Sequence, residues 1–110
     1  MPFAPFEVVL LSFPFSEKRG RKQRPGLVLS TEAFNRAHGH VLIAMITTAS
    51  NTSWHSDLRI QDYGTAGLDV PCVLRAKLIT LADDLVIGRL GRLGDADRSG
   101  ARNWAHGLMA

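Results

Sequence analysis

The feature that most constrains this chain is the shortness of its apolar runs. Residues 8–13, 26–30, 41–46, 57–60, 72–78 and 85–89 are short stretches, most of them rich in Val, Ile and Leu. Such runs suit strands better than helices. None approaches the ~18 residues that a membrane-spanning helix needs. Pro14 ends the first run or confines it to a sheet edge. Along 72–78 strict alternation turns Leu74, Ala76 and Leu78 toward a core, and Arg75 with Lys77 the other way. Near the C-terminus the period changes. Ala101, Trp104, Ala105 and Leu108 recur at helical spacing, which predicts an amphipathic helix with Asp95 as its N-cap and Trp104 as a core anchor. Several short strands and one terminal helix predict a mostly β fold, a small antiparallel barrel or rolled sheet.

A length of 110 residues predicts a single domain over 1–110, with one core and no room for a separate cofactor domain. An apolar content of 45% fits a globular chain. Thirteen Lys and Arg against ten acids give a net charge of +3, which mildly favours polyanionic partners. Charge alone leaves nucleic-acid binding at even odds. The single cysteine, Cys72, excludes an intrachain disulfide and reads as a small buried strand residue. The N-terminus, through Glu7, has no cationic region before an apolar stretch, so no signal peptide and a cytoplasmic address are expected.

Several strings narrow the reading further. Arg24-Pro25-Gly26-Leu27-Val28-Leu29-Ser30 resembles the strand-opening signature of PemK/MazF toxins. It follows Glu7-Val8-Val9-Leu10-Leu11-Ser12-Phe13-Pro14-Phe15, similar to that family's first strand. Here Glu7 replaces the usual Asp, and Phe6 the preceding glycine. The segment 41–48, ending in Thr47-Thr48, is similar to the third strand. Ala66-Gly67-Leu68 with Pro71, Val73, Arg75 and Lys77, and then the segment 87–93 with Asp97, follow in the family's order. The resemblance implies an SH3-like antiparallel barrel of the CcdB/MazF type with a C-terminal α-helix, usually a homodimer. It also implies metal-independent, sequence-selective cleavage of single-stranded RNA, an mRNA interferase activity. A cognate antitoxin protein would cover the RNA site, and no cofactor would be used.

On that pattern Arg24, Thr47 and Arg75 are the expected catalytic residues. Arg24 has the planar fork that suits two phosphate oxygens. Thr47 is too weak an acid or base to act unaided, so it is read as a hydrogen-bond donor to the phosphate. Arg75 is read as a second phosphate clamp. Some relatives carry an Asp two residues after that Arg; Lys77 stands here instead, after Ala76, so the acceptor of the 2′-proton is left open. Lys18, Arg19, Arg21, Lys22 and Gln23, in the first long loop, are expected RNA contacts together with Thr48 and Lys77. A cation run reads equally as a solvated face. Trp54 reads equally as a base-stacking ring or a core residue. His55 is read as a solvated loop residue, and His38-Gly39-His40 as a turn, not a metal site. Two rivals stand beside this reading: a toxin of the same fold that binds a protein such as DNA gyrase and cuts nothing, and an inactive RNA-binding module.

Overall fold

The computed structural model describes residues 2–12, 23–50 and 53–110, so the expected contacts Lys18, Arg19, Arg21 and Lys22 lie outside the described residues. The elements are β1 (Glu7–Ser12), β2 (Gln23–Val28), α1 (Glu32–His38), β3 (His40–Thr48), β4 (Leu58–Arg59), β5 (Cys72–Ala82), a 3-10 turn (Asp83–Leu85), β6 (Gly88–Arg92) and α2 (Asp95–Gly107). Among the described residues the strands form one curled six-stranded sheet in the order β4-β5-β3-β2-β1-β6, and every pairing is antiparallel. The expected rolled β-sheet with a C-terminal helix is therefore what the chain forms.

Alternation divides the strand side chains between two cores. Val8, Leu27, Ile46 and Leu74 face one way and pack with Leu93 and Ala101. Val9, Leu11, Val28, Val41, Ile43 and Met45 face the other. α2 closes the first core. Ala101 is buried in it, Trp104 packs against it, and the Trp104 indole N–H donates to the Ser56 carbonyl at 2.7 Å. The helix begins at Asp95 with Gly94 as N-cap, one residue before the expected cap. Asp97, buried, accepts the backbone N–H groups of Gln61 (2.9 Å) and Asp62 (2.8 Å) and so ties the helix to the turn after β4. Cys72 sits in this core as expected, and burial pushes its thiol up, away from reactivity.

The apolar pattern does not announce α1, because the helix is held by polar groups. The Thr31 hydroxyl accepts the Phe34 N–H at 3.1 Å, and Gly39, left-handed at φ 61°, ends the helix by donating to the Asn35 carbonyl at 2.9 Å. Its buried residue is Asn35, whose side-chain amide donates to the Phe3 carbonyl at 2.8 Å.

Close backbone approaches explain two of the glycine positions. A Cβ on Gly26 would meet Ile43 Cγ2 at 2.5 Å and Leu11 Cδ2 at 3.0 Å. Gly67 has φ 82°, and a Cβ there would lie 2.1 Å from the Leu90 carbonyl oxygen. Phe6 also has a positive φ, 70°. That conformation is the reason a glycine suits this position, and it costs a side chain on the order of 1–2 kcal/mol. Burial of the Phe6 ring, with the Arg102 guanidinium 5.2 Å from its centroid, offsets that cost.

Candidate functional site

The register of the central strands assembles the site. Leu11 of β1 pairs with Arg24 of β2, and Gly26 of β2 pairs with Met45 of β3. Met45 in turn pairs with Arg75 of β5, and Thr47 with Val73. Paired residues point to the same side of a sheet, as do residues two apart. Arg24, Thr47 and Arg75 therefore share the face that carries Leu11, Ile43 and Met45. They form its polar end, beyond the apolar part. Gly26–Met45 is the last pair of the β2–β3 ladder; two residues beyond it Arg24 and Thr47 follow on the same side, and both line one groove. Arg75 is a diagonal neighbour of Thr47, a Cα separation of about 7–8 Å in such a sheet.

Alternation turns Thr48 to the opposite face. It lines two grooves at this end of the sheet. One, of about 340 Å³, is also lined by Arg24, Thr47, Leu68 and Asp69; the other, of about 540 Å³, by Ser50, Arg59 and Val70. Gln23 begins β2 and is exposed. Lys77 lies in a bulge of β5, where the register steps from Ala44–Leu78 to Met45–Arg75.

Arg75 reaches Asp57 in the loop before β4. Its Nε donates to Asp57 Oδ1 at 3.1 Å and its Nη2 to Oδ2 at 2.8 Å. The Arg75 and Asp57 side chains are 7% and 10% exposed. This two-pronged bond holds the Asp57 carboxyl below its usual range, against the opposing pull of burial; the Trp54 backbone N–H, which donates to Oδ2 at 2.9 Å, adds to it. The same bond raises the Arg75 pKa, so the guanidinium stays charged. The acid beside Arg75 therefore comes from a loop distant in sequence, not from the position of Lys77. Asp57 was not among the expected site residues. The available signal was that it is the one acidic residue between Thr47 and Asp62.

Trp54 is not a core residue. It is 41% exposed, and its ring lies 5.3 Å from the Arg75 guanidinium carbon and 5.9 Å from Lys77 Nζ. His55 is exposed, and His38 and His40 flank the left-handed Gly39. Among the described residues, no three His, Cys, Asp or Glu side chains are grouped to hold a metal ion.

The sequence matches, over residues 4–103, the family described as PemK-like, MazF-like toxin of type II toxin-antitoxin system. The chain belongs to this toxin family. Solved structures agree with the PemK/MazF-like fold. A MazF from Deinococcus radiodurans superposes with a TM-score of 0.73 at 21% identity, covering 98% of this chain and 96% of that one. The Mycobacterium tuberculosis toxin MazF-mt6 gives 0.69 at 22% identity, with 93% of each chain covered. An endoribonuclease from a mycobacterial species, solved in complex with its cognate antitoxin, gives 0.71 at 17% identity, covering 96% of this chain and 91% of that one. No curated protein matches the chain. Among the described residues, no helix of this toxin-family member is long and apolar enough to cross a membrane.

Proposed function

We propose that this toxin-family member is an endoribonuclease that cuts single-stranded RNA without a metal ion, sequence-selectively, as an mRNA interferase. The observation that carries the reading is the placement of Arg24 beside Thr47, with Arg75 next to them, at the polar end of one sheet face. In the reaction the ribose 2′-oxygen attacks the adjacent phosphorus. Its proton passes to an acceptor, the bond to the 5′-oxygen breaks, and that oxygen takes up a proton. The products are a 2′,3′-cyclic phosphate and a 5′-hydroxyl. Charge builds on the phosphorane oxygens at the crowded stage, so a preorganised guanidinium and hydroxyl stabilise that stage more than the starting ester. Arg24 is the phosphate clamp, Thr47 the hydrogen-bond donor, and Arg75 the second cation, aimed by Asp57. A gyrase-binding toxin has no use for an adjacent Arg and Thr; a passive RNA-binding module would use the pair to hold a phosphate, and cleavage is what separates it from the enzyme.

The family's toxin-antitoxin pairing supports a co-produced antitoxin protein as the natural inhibitor, acting in the cytoplasm. Leu85, Ile87 and Leu90, exposed on and beside edge strand β6, leave apolar surface that supports a homodimer. The test of activity is incubation of purified protein with a long unstructured RNA in EDTA. Cleavage leaving 2′,3′-cyclic phosphate ends is expected. Products bearing a 5′-phosphate, or cleavage only after Mg²⁺ is restored, would refute the reading.

A further inference from the structure

Trp54 is an exposed residue on an anchored loop, and the proposed chemistry does not use it. Its loop is anchored at several points. The Trp54 N–H donates to Asp57 Oδ2 at 2.9 Å, and the Asp57 N–H donates back to the Trp54 carbonyl at 3.1 Å. Asp57 is bound in turn to Arg75 of β5, and the Ser56 carbonyl accepts the Trp104 indole N–H of α2 at 2.7 Å. Trp54 is 41% exposed despite these ties. Anchoring the backbone beneath a surface aromatic group removes part of the conformational freedom that binding would otherwise cost.

The surroundings point to the kind of occupant. The ring lies 5.3 Å from the Arg75 guanidinium carbon and 5.9 Å from Lys77 Nζ. Arg75 is also a sheet neighbour of Met45, one step from Thr47. An aromatic ring among cations, beside the arginine proposed as the second cation of the site, matches the way proteins hold single-stranded nucleic acid. Cations follow the backbone while flat side chains stack the bases. A protein partner seated on the same ring would be expected to meet an apolar rim; against this ring stand the cations of Arg75 and Lys77.

We propose that Trp54, fixed by the Asp57–Arg75 pair, is a stacking platform for one RNA base flanking the scissile phosphate, and that it helps set which sequences are cut. The proposal rests on the ribonuclease reading above. A base stacked there draws its own phosphate toward Lys77 and sets the register in which the chain passes Arg24 and Thr47. The platform thus acts on binding and sequence choice more than on the chemical step.

The experiment begins with cleavage sites mapped on a long unstructured RNA. An oligonucleotide spanning one site, 2′-O-methylated at the attacking nucleotide, then serves as a non-cleavable probe. It is compared with versions carrying a single abasic position on either side of the scissile bond. At one position the abasic probe should bind wild type more weakly, by about five- to a hundredfold, the range that base–aromatic stacking supplies. Trp54→Leu should lose a similar factor, and variant and abasic probe together should lose little more than either alone. Trp54→Phe, which keeps a ring, should retain most of the affinity. The probe should quench wild-type tryptophan emission, and the quench should vanish in Trp54→Phe, where Trp104 remains. Additive losses at every position, or unchanged affinity in folded Trp54→Leu, would overturn the platform while leaving the ribonuclease reading intact. Should Trp54→Leu fail to fold, the abasic scan with wild type and the quench in Trp54→Phe decide alone. A wild-type protein that neither cuts nor binds RNA would overturn both readings.

Discussion

Replacing Asp57 by Asn tests whether the loop before β4 is held by charge. The change keeps the shape of the side chain but removes its charge and sets an amide N–H against a guanidinium. Breaking a fully buried ion pair costs about 3–5 kcal/mol. This pair lies under a surface loop, so partial solvation of the released guanidinium reduces the loss to about 2 kcal/mol. For a domain of this size that lowers Tm by about 8 °C. The pH dependence gives a sharper test. The folded-state pKa of Asp57 lies below its unfolded value, because of the bonds from Arg75. The pair's stabilisation is then complete above the unfolded value of about 4 and is lost as pH falls through the folded pKa. Urea titrations of both proteins should show a constant gap from neutrality down to about pH 5, and a shrinking gap below about pH 4. In a double-mutant cycle, adding Arg75→Met to Asp57→Asn should cost less than the two single losses together. Equal stability at neutral pH, or a gap that persists unchanged in acid, would refute the reasoning.

Other expectations are simpler to check. Arg24→Ala should lower the single-turnover cleavage rate about a hundredfold or more with the circular dichroism spectrum unchanged, and Arg24→Lys should rescue it poorly. Thr47→Ala should also slow cleavage while Thr47→Ser keeps much of the rate; wild-type rates in both folded alanine variants would remove these residues from the site. Gly26→Ala should cost about 1–3 kcal/mol in urea unfolding, since its Cβ would overlap Ile43 and Leu11. Asp97→Asn should cost about 1–3 kcal/mol by the same assay, because one of the two backbone donors of Gln61 and Asp62 loses its acceptor.

The parts of this fold that could be read in the sequence are those written in local periodicity. The earlier strand runs and the stripe Ala101–Trp104–Ala105 state directly which side chains face inward, because a period of two or of 3.6 residues maps onto one face. The last run, 85–89, misleads, since Leu85 ends a 3-10 turn, Leu85 and Ile87 are exposed, and β6 runs Gly88–Arg92. α1 carries no such stripe. Thr31 and Gly39 hold its ends and the polar Asn35 anchors it, so its existence depends on hydrogen bonds that hydrophobicity does not record. The site was legible to the same degree. Arg24, Thr47 and Arg75 each sit on a strand, and their common face follows once the strands are paired. Asp57 and Trp54 sit on a loop, and their contacts with Arg75 are set by tertiary packing, not by spacing along the chain.

Gly26 shows how packing and chemistry meet in one motif. It stands two residues after Arg24, on the same side of β2, and pairs with Met45, which stands two residues before Thr47. A side chain at position 26 would collide with Ile43 Cγ2, 2.5 Å from its Cβ, and push β2 from β3. The strands diverge least where nothing separates them, so the bare glycine keeps the last pair of the β2–β3 ladder, the one beside Arg24 and Thr47, tight. In the proposed reaction the Arg24 guanidinium and the Thr47 hydroxyl beside that pair converge on a single phosphate, where misplacement by an ångström is costly in rate. On the proposed mechanism the Arg-Pro-Gly sequence thus encodes the clamp in its first residue and the spacing that makes the clamp effective in its third.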